Sequence, residues 1–327
     1  MPQTQRAGRI YRSMLYVPGH KLDWMLKSEK YGADAYIYDL EDSVAIEAKQ
    51  AAREAVAKAV GVLKDKPFGR FVRLNGWRTG EILRDLLAVI VQGLDGVILA
   101  KTEDPEDITA LDLVISELER ERNIPVGSVE ITPLTETAIS IYKLYDICMA
   151  SPRVKRTCNV GQIFNGGDGF RALGVTVNEN GDEILYFDAY SIIQSRAAGI
   201  TNIMGGMSSK IGDLDLVRRM SERAKRMGAT GARAIHPSHV AVLNEVYSPS
   251  VASVEEARET LKLMAAAISR GDAAIQFKGR MVDYAHVRSA LELLDRAKSV
   301  GMDVGDVPDV EVFSYQPGGT GDNQRQR

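Results

Sequence analysis

Eight short apolar segments recur between residue 13 and about residue 246, and longer segments with helical periodicity separate them. Strands that alternate with helices in this way form βαβ units, which build parallel sheets covered by helices. The eight segments are SMLYV (13–17), AYIYDL (35–40), RFVRL (70–74), GVILA (96–100), SVEIT (128–132), NVGQIF (159–164), GITNI (199–203) and ARAI (232–235). This count predicts an α/β fold, a closed (β/α)8 TIM barrel, although an open doubly wound sheet would share the local pattern.

Two segments between the strands carry more specific local information. Pro105 is followed by Glu106 and Asp107, a combination typical of the first turn of a helix. Between the sixth and seventh strands, Asn180-Gly181 lies among β-favouring residues and predicts a small hairpin. We therefore expect a barrel with one inserted hairpin.

The strand rhythm stops after Pro249, and the chain continues with two helical segments joined by a glycine-containing loop around AIQFKGRMVD. This pattern predicts a separate C-terminal helical lid. Because the last residues are polar and offer nothing to pack, we expect them to be disordered. The predicted divisions are a flexible N-terminus at 1–11, a TIM-barrel catalytic domain at 12–250, the lid at 251–300 and a tail at 301–327.

Charge and composition exclude several classes of function. The formal net charge of -3 gives no broad basic field, so we expect no nucleic-acid partner. Cys148 and Cys158 are too few for a disulfide framework, which suits a reducing compartment. No segment approaches the roughly 18 consecutive apolar residues of a membrane span. The sequence therefore predicts a cytoplasmic protein without a membrane partner.

Acidic residues follow two neighbouring strands at the end where barrel enzymes place their active sites. Glu136 comes after the fifth strand and Asp168 after the sixth, each beside small residues. Two carboxylates with substrate oxygens and waters are the usual surroundings of protein-bound Mg²⁺. An acid in the first turn of a helix also stabilises the helix dipole, so spacing alone leaves both interpretations open.

Two basic residues near the strand ends need an explanation. Arg73 lies within the apolar third strand, where its planar guanidinium could bind a substrate carboxylate or pair with Glu41 or Asp42. Lys101 follows the fourth strand, the kind of place where a Schiff-base lysine could lie. Its acidic neighbours in KTEDPED would keep its pKa high, so we predict an ordinary lysine at the rim of the barrel.

The sequence contains, in order, the motifs RSMLYVPG, YDLEDSV, VRLNG, TPLTETA, FNGGD, AIHPSHV, YSPS and GRMVD. Together they resemble the HpcH/HpaI aldolase/citrate lyase family, and within it the citrate lyase β-subunit-like acyl-CoA lyases. The resemblance covers residues 12 to about 298. It implies a homotrimer or hexamer in which the lid of one subunit covers the active site of its neighbour.

The resemblance also implies a reaction. Members of this family are Mg²⁺-dependent carbon–carbon lyases. The resemblance implies that this chain reversibly cleaves a short 3-hydroxyacyl-CoA, of the citramalyl-CoA or malyl-CoA type, into a 2-oxo acid and an acyl-CoA. Three alternatives remain: a malyl-CoA-type thioesterase, a CoA-independent 2-oxo acid aldolase, and a non-catalytic binding subunit. They differ in the products that they release and in whether they require CoA.

The family motifs assign roles to particular residues of this chain. Glu136 and Asp168 match the metal ligands, Arg73 matches the arginine that binds the substrate carboxylate, and Asp283 in GRMVD matches the acid/base of the lid. The remaining matches are Glu41 and Asp42, which hold metal-bound waters, and Arg12, Tyr16 and Lys49, which meet the CoA part of the substrate.

Two departures from the family pattern concern the pocket. Asn165 replaces a glycine before the metal aspartate, and Met204-Gly205-Gly206 replaces part of the usual IDxV motif after strand seven. The metal ligands are unchanged. We expect the glycine-rich segment to alter the space available to the acyl group.

Overall fold

The computed structural model describes residues 8–160, 168–178, 180–308 and 310. The chain divides into two compact units, of which the first ends at Tyr247 and the second begins at Ser248. The first unit contains eight parallel strands. They are β1 (Ser13–Pro18), β2 (Ala35–Asp39), β3 (Gly69–Leu74), β4 (Gly96–Leu99), β5 (Glu130–Pro133), β6 (Arg156–Val160), β7 (Asn202–Gly205) and β8 (Gly231–Ala234).

The strands form one sheet in the order β5-β4-β3-β2-β1-β8-β7-β6. At the two ends of this order, β5 approaches β6, and Ile131 pairs with Val154 in an isolated parallel bridge. The sheet is therefore a nearly closed barrel, which confirms the predicted α/β TIM-barrel fold. The sixth strand begins at Arg156, earlier than expected, and its predicted residues 161–164 lie outside the described residues.

Helices surround the strands of this unit. They are α1 (Leu22–Leu26), α2 (Lys49–Leu63), α3 (Ile82–Val89), α4 (Pro105–Glu121), α5 (Ala138–Tyr142), α6 (Leu144–Met149), α7 (Asp168–Leu173), α8 (Leu185–Ala197), α9 (Leu214–Met227) and α10 (Ser238–Tyr247). Short 3-10 helices cover Ser28–Tyr31, Ile46–Ala48, Trp77–Thr79 and Asp182–Ile184. The predicted start of α4 at Pro105 is confirmed, and the Asp107 carboxylate accepts a hydrogen bond from the backbone N–H of Asp104.

Strand alternation divides the apolar side chains of the barrel into two layers. In β2, Ala35 and Ile37 belong to a cluster inside the barrel, whereas Tyr36 and Tyr38 pack in the layer between strands and helices. Asp39 continues the inward series at the carboxyl end of the strand. The same alternation that builds the core therefore places the Asp39 carboxylate inside the barrel, at the carboxyl ends of the strands.

The hairpin predicted at Asn180-Gly181 is wrong. The Asn178 side-chain oxygen accepts hydrogen bonds from the backbone N–H groups of Asn180 and Gly181, both at 2.8 Å. Gly181 adopts a φ of 72°, and the chain then enters a 3-10 turn and helix α8. An asparagine side chain that closes its own turn thus provides a helix start where residue propensities favoured strands.

The second unit contains two helices and a small antiparallel hairpin. These are α11 (Val251–Ile268), β9 (Ala274–Phe277), β10 (Arg280–Asp283) and α12 (Tyr284–Ser299). The segment expected to be a loop is therefore a hairpin, closed by a turn at Lys278 and Gly279, which both have positive φ. Of the ends predicted to be flexible, 1–11 and 301–327, residues 1–7, 309 and 311–327 lie outside the described residues.

Among the residues that the structure describes, none of the helices is both long enough and apolar enough to cross a bilayer.

Candidate active site

A cavity of about 220 Å³ lies at the carboxyl ends of the strands, between the loops that follow β3, β4 and β5 and the first turns of α7. Glu136 and Asp168 both line it, so the structure brings together two residues that lie 32 positions apart in the sequence. Lys101, Trp77 and Arg171 line the same space. The position agrees with the end of the barrel at which enzymes of this architecture work.

Four acids form what we call the carboxylate cluster: Glu41, Asp42, Glu136 and Asp168. The ammonium group of Lys101 lies among three of them. Its Nζ atom is 2.9 Å from Glu41 Oε1, 3.5 Å from Asp168 Oδ2 and 3.8 Å from Asp42 Oδ1. Lys101 was expected to be an ordinary rim lysine with a high pKa. Its pKa is indeed raised, first by the hydrogen bond with Glu41, and the structure adds that Lys101 is one of the cations that contact the cluster.

Glu136 has the most strongly altered environment in this cluster. Burial, followed by the charge of Glu41, raises the pKa of Glu136 from 4.5 to about 7. Its Oε2 atom is buried and has no hydrogen-bond partner among the described residues. A buried carboxylate oxygen without a donor is costly, and a bound cation would satisfy it.

Arg73 lies at the end of β3 and is almost fully buried. Its Nε and Nη2 atoms donate to the two oxygens of Asp39, each at 2.7 Å, and Nη1 lies 2.7 Å from Glu41 Oε2. Asp42 is more distant, at 3.9 Å. The structural partners considered from the sequence were Glu41 and Asp42, and the structure adds Asp39 as the bidentate partner.

Asp39 is therefore a residue of the site that the sequence analysis missed. Burial by itself raises its pKa, but the hydrogen bonds and charge of Arg73 outweigh burial and keep the pKa below its ordinary value. The information needed to find it was the strand register, which places Asp39 directly beside Arg73. Local residue patterns do not contain this register.

The three residues expected to meet CoA lie in different surroundings. Tyr16 lies in the barrel interior, with the Arg73 guanidinium 5.1 Å from its ring centroid and the Arg233 Nη1 atom 3.4 Å from its hydroxyl. Arg12, in contrast, precedes β1 and pairs with Asp34, which precedes β2. Since both lie at the amino ends of their strands, the structure does not bring Arg12 to the carboxylate cluster.

Lys49 lies at the loop that follows β2. Its Nζ atom donates to the backbone oxygens of Leu40 and Glu41, at 2.8 and 3.2 Å, and to Asn75 Oδ1 at 2.8 Å. An ammonium group has three protons, and these contacts account for them. Lys49 thus braces the loop that carries Glu41, and its expected contact with CoA stays a prediction.

Asp283 belongs to the second unit, where it begins helix α12. Its Oδ1 atom accepts from the backbone N–H of Ala285 at 3.0 Å and lies 2.9 Å from His286 Nδ1. The hydrogen bond from His286 and then that from Ala285 lower the Asp283 pKa. The carboxylate is partly exposed, so its helix-capping role leaves it accessible, and its part in catalysis remains a prediction.

The departure after strand seven has a structural explanation. Met204 is fully buried in the interior cluster with Cys158 and Phe71. A Cβ atom on Gly205 would lie 2.9 Å from the hydroxyl oxygen of Tyr247, at the end of helix α10. Gly205 therefore makes room for a helix on the outside of the barrel, and the expected effect of the glycine-rich segment on the acyl group stays a prediction. Asn165 lies outside the described residues.

Comparison with known proteins agrees with this architecture. The family model described as HpcH/HpaI aldolase/citrate lyase matches residues 12–237. The chain belongs to this family. It is 30% identical over 313 residues to the L-malyl-CoA/beta-methylmalyl-CoA lyase of Cereibacter sphaeroides, an alignment that covers 91% of this chain and 98% of that protein. The citrate lyase subunit beta of Haemophilus influenzae is 28% identical over 291 residues, with 89% and 98% coverage.

Two solved structures have folds similar to that of this chain. The CitE protein of Mycobacterium tuberculosis, solved with magnesium, acetoacetate and coenzyme A, has a TM-score of 0.67 and 26% identity, and the match covers 90% of this chain and 99% of that one. A citrate lyase from Burkholderia xenovorans reaches a TM-score of 0.76 at 19% identity, with 92% and 94% coverage. The second likeness bears on the fold alone.

Proposed function

We propose that this chain is a Mg²⁺-dependent carbon–carbon lyase. Its substrate is a short 3-hydroxyacyl-CoA of the malyl-CoA or citramalyl-CoA type, and its products are a 2-oxo acid and an acyl-CoA. The observation that carries the proposal is the shared cavity of Glu136 and Asp168, beside the buried guanidinium of Arg73. The names of the relatives, lyases of CoA thioesters among them, support the same reaction class.

The cavity suits a magnesium ion. Among the described residues, His, Cys, Asp and Glu side chains form no group of three able to hold a metal. Magnesium does not need such a group, because it is commonly held by one or two carboxylates together with water and substrate oxygens. Glu136, with its unpartnered buried oxygen, and Asp168 would be the ligands. When bound, the ion would stabilise negative charge that develops on the substrate oxygen.

The protein side chains have separate tasks in this proposal. Arg73, held by Asp39, orients the substrate carboxylate through its remaining N–H groups. Glu41 and Asp42 hold waters at the edge of the cavity. In cleavage a base takes the proton of the substrate hydroxyl group, and the carbon–carbon bond breaks to give the 2-oxo acid and a thioester enolate. Asp283, once it has itself taken up a proton, delivers that proton to the enolate carbon. In the direction of synthesis Asp283 removes a proton from the methyl group of the acyl-CoA.

We further propose that Asp283 acts on the cavity of another subunit in a homotrimer or hexamer. The Arg73→Met and Asp283→Asn variants would each be inactive, and mixing them would create some sites with both intact residues. We expect partial recovery of activity after subunit exchange, verified by mass spectrometry of differently tagged chains. Exchange without any recovery would show that each chain uses its own lid.

The reaction class is tested by incubating the full chain and Mg²⁺ with malyl-CoA or citramalyl-CoA. We expect glyoxylate with acetyl-CoA, or pyruvate with acetyl-CoA, in equal amounts, and no products from the Glu136→Gln variant. Glu245→Gln, on the outer surface, serves as the matched control and should retain activity. Free malate with free CoA would instead identify a thioesterase, and turnover of 4-hydroxy-2-oxo acids without CoA would identify an aldolase.

A further inference from the structure

Lys101 has an unusual backbone conformation for its residue type. Its φ angle is 52°, in the left-handed region, where glycine and asparagine are favoured and other residues are strained. Strain of this kind persists where surrounding contacts hold it and is concentrated at functional sites. Lys101 lies two residues after the end of β4 and lines the cavity. The backbone conformation alone does not assign a function to Lys101, and its side-chain contacts are needed for that.

The contacts of Lys101 are with carboxylates. Nζ is close to Glu41 at 2.9 Å, whereas its distance to Asp168 is 3.5 Å. The hydrogen bond with Glu41, the largest favourable contribution, raises the pKa of Lys101, so the ammonium form persists at neutral pH. Glu41 is 6% exposed and Lys101 is 45% exposed, so the charge pair joins a buried acid to a side chain with access to solvent.

Two arginines, Arg73 and Arg171, also contact the carboxylate cluster, and their surroundings differ from those of Lys101. The Arg73 guanidinium is already held by both oxygens of Asp39, deep in the barrel. Arg171 approaches Asp168 from the solvent side at 2.8 Å and is 82% exposed. Lysine carries a compact charge on a flexible stem, so it can leave one acid while it keeps another. Lys101 therefore combines a firm contact to Glu41 with a longer contact to Asp168.

We propose that Lys101 is a tethered counter-ion of the carboxylate cluster: it neutralises Asp168 in the metal-free chain and releases it when the divalent cation binds. The inference rests on the metal site of the proposed function. Because two positive charges near one carboxylate repel each other, Lys101 weakens the affinity for the metal. It also stabilises the metal-free chain, in which four acids lie close together.

Metal affinity tests the competition directly. We would titrate the full chain with Mn²⁺ at pH 8 and follow binding by calorimetry, without any substrate. Lys101→Met should bind Mn²⁺ about tenfold more tightly than the unmodified chain, because a repelling charge has been removed. Lys101→Arg should bind with nearly unchanged affinity. Lys66→Met is the matched control, since Lys66 pairs with Glu29 at 2.7 Å and both side chains are about half exposed.

A second measurement uses the unmodified chain. Amine acetylation followed by mass spectrometry should modify Lys101 severalfold faster in saturating Mg²⁺, because the released ammonium group has lost a carboxylate partner. The modification rate of Lys66 should not change. In thermal unfolding, Lys101→Met should have a lower midpoint than the unmodified chain without metal and a larger rise on addition of Mg²⁺. If Lys101 were purely structural, Lys101→Met would have a lower midpoint without metal but no larger rise on addition of Mg²⁺.

The outcomes separate the two proposals. If neither the unmodified chain nor Lys101→Met binds Mn²⁺, the metal site of the proposed function is overturned. If the unmodified chain binds Mn²⁺ and Lys101→Met binds with equal or lower affinity, the counter-ion role alone is overturned. Should Lys101→Met fail to fold, Lys101→Asn is the substitute, because asparagine tolerates the left-handed conformation. Its expected gain in affinity is the same.

Discussion

Both carboxylate oxygens of Asp39 accept hydrogen bonds from Arg73 at 2.7 Å, at a point where β2 and β3 lie side by side. Asp39 is only 2% exposed and Arg73 only 9%. Arg73 is thus fixed in orientation before any substrate enters. Since its Nη1 atom also reaches Glu41, the pair connects the barrel interior to the carboxylate cluster.

Removal of the Asp39 charge should destabilise the fold and impair the site. Asp39→Asn leaves a buried guanidinium without its main counter-charge, and we expect a loss of about 3 to 5 kcal/mol in the free energy of unfolding. Urea unfolding measures this loss. Glu245→Gln breaks a comparable bidentate pair with Arg218 on the surface and should leave stability unchanged. Equal stability of the two variants would contradict the importance given to the buried pair.

The metal-free chain should become less stable as pH rises through neutrality. Glu136 has a pKa of about 7 in the fold and 4.5 as its ordinary value, so between these values the unfolded chain releases a proton that the folded chain retains. Its stabilising contribution is complete below pH 4.5 and is lost as pH rises through about 7.

Glu136→Gln isolates this effect, because glutamine resembles the protonated acid and does not titrate. Unfolding in urea with EDTA at pH 5 and pH 8 gives the two free energies of unfolding. The free energy of unfolding of the variant minus that of the unmodified chain should be larger at pH 8 than at pH 5. A difference that stays constant with pH would show that Glu136 has an ordinary pKa.

Substitutions in the cavity and in the lid should have different effects on metal binding. Asp168→Asn removes a proposed ligand, so the dissociation constant for Mn²⁺ should increase by more than about 100-fold, beyond what loss of an outer partner causes. Asp283→Asn should leave this constant unchanged and lower kcat by about 100-fold or more, as expected for a lost acid/base. Calorimetry and product release measure the two quantities. Parallel behaviour would refute the separate roles.

Lys49→Met should impair turnover of the full CoA thioester and of its pantetheine-truncated analogue to the same extent. Because Lys49 braces the backbone oxygens of Leu40 and Glu41, its loss loosens the loop that carries Glu41, and we expect kcat/KM to fall roughly 10- to 100-fold. The same loss should occur with malyl-CoA and with its pantetheine-truncated analogue. A loss confined to the full CoA substrate would instead support the contact expected from the sequence.

Gly205→Ala should affect stability and not acyl preference. The added Cβ atom would lie 2.9 Å from the Tyr247 hydroxyl oxygen, so we expect a cost of about 1 to 3 kcal/mol in unfolding experiments. Tyr247→Phe in the same chain should recover part of it. The ratio of kcat/KM for malyl-CoA and citramalyl-CoA should stay the same. A changed ratio at full stability would place Gly205 at the acyl pocket.

Much of the fold could be predicted because its information is local. Each strand is a short apolar run, and the eight observed strands overlap the eight predicted segments. Local order along the chain also predicted that Glu136 and Asp168 follow neighbouring strands, and barrel geometry then places both at one end. The hairpin predicted at Asn180 is absent because the Asn178 side-chain oxygen accepts hydrogen bonds from the backbone N–H groups of Asn180 and Gly181, and these outweigh the propensities of several residues.

The sequence by itself determined the number of strands, the helices between them and the end of the barrel that carries the acids. Only the tertiary structure decided which partner holds Arg73, that Lys101 lies among the acids, and that Arg12 lies at the opposite end. Periodicity acts within one element, and the sequence displays it. Ion pairs between elements depend on strand register and on which side chains are buried together, and these arise only when distant segments pack.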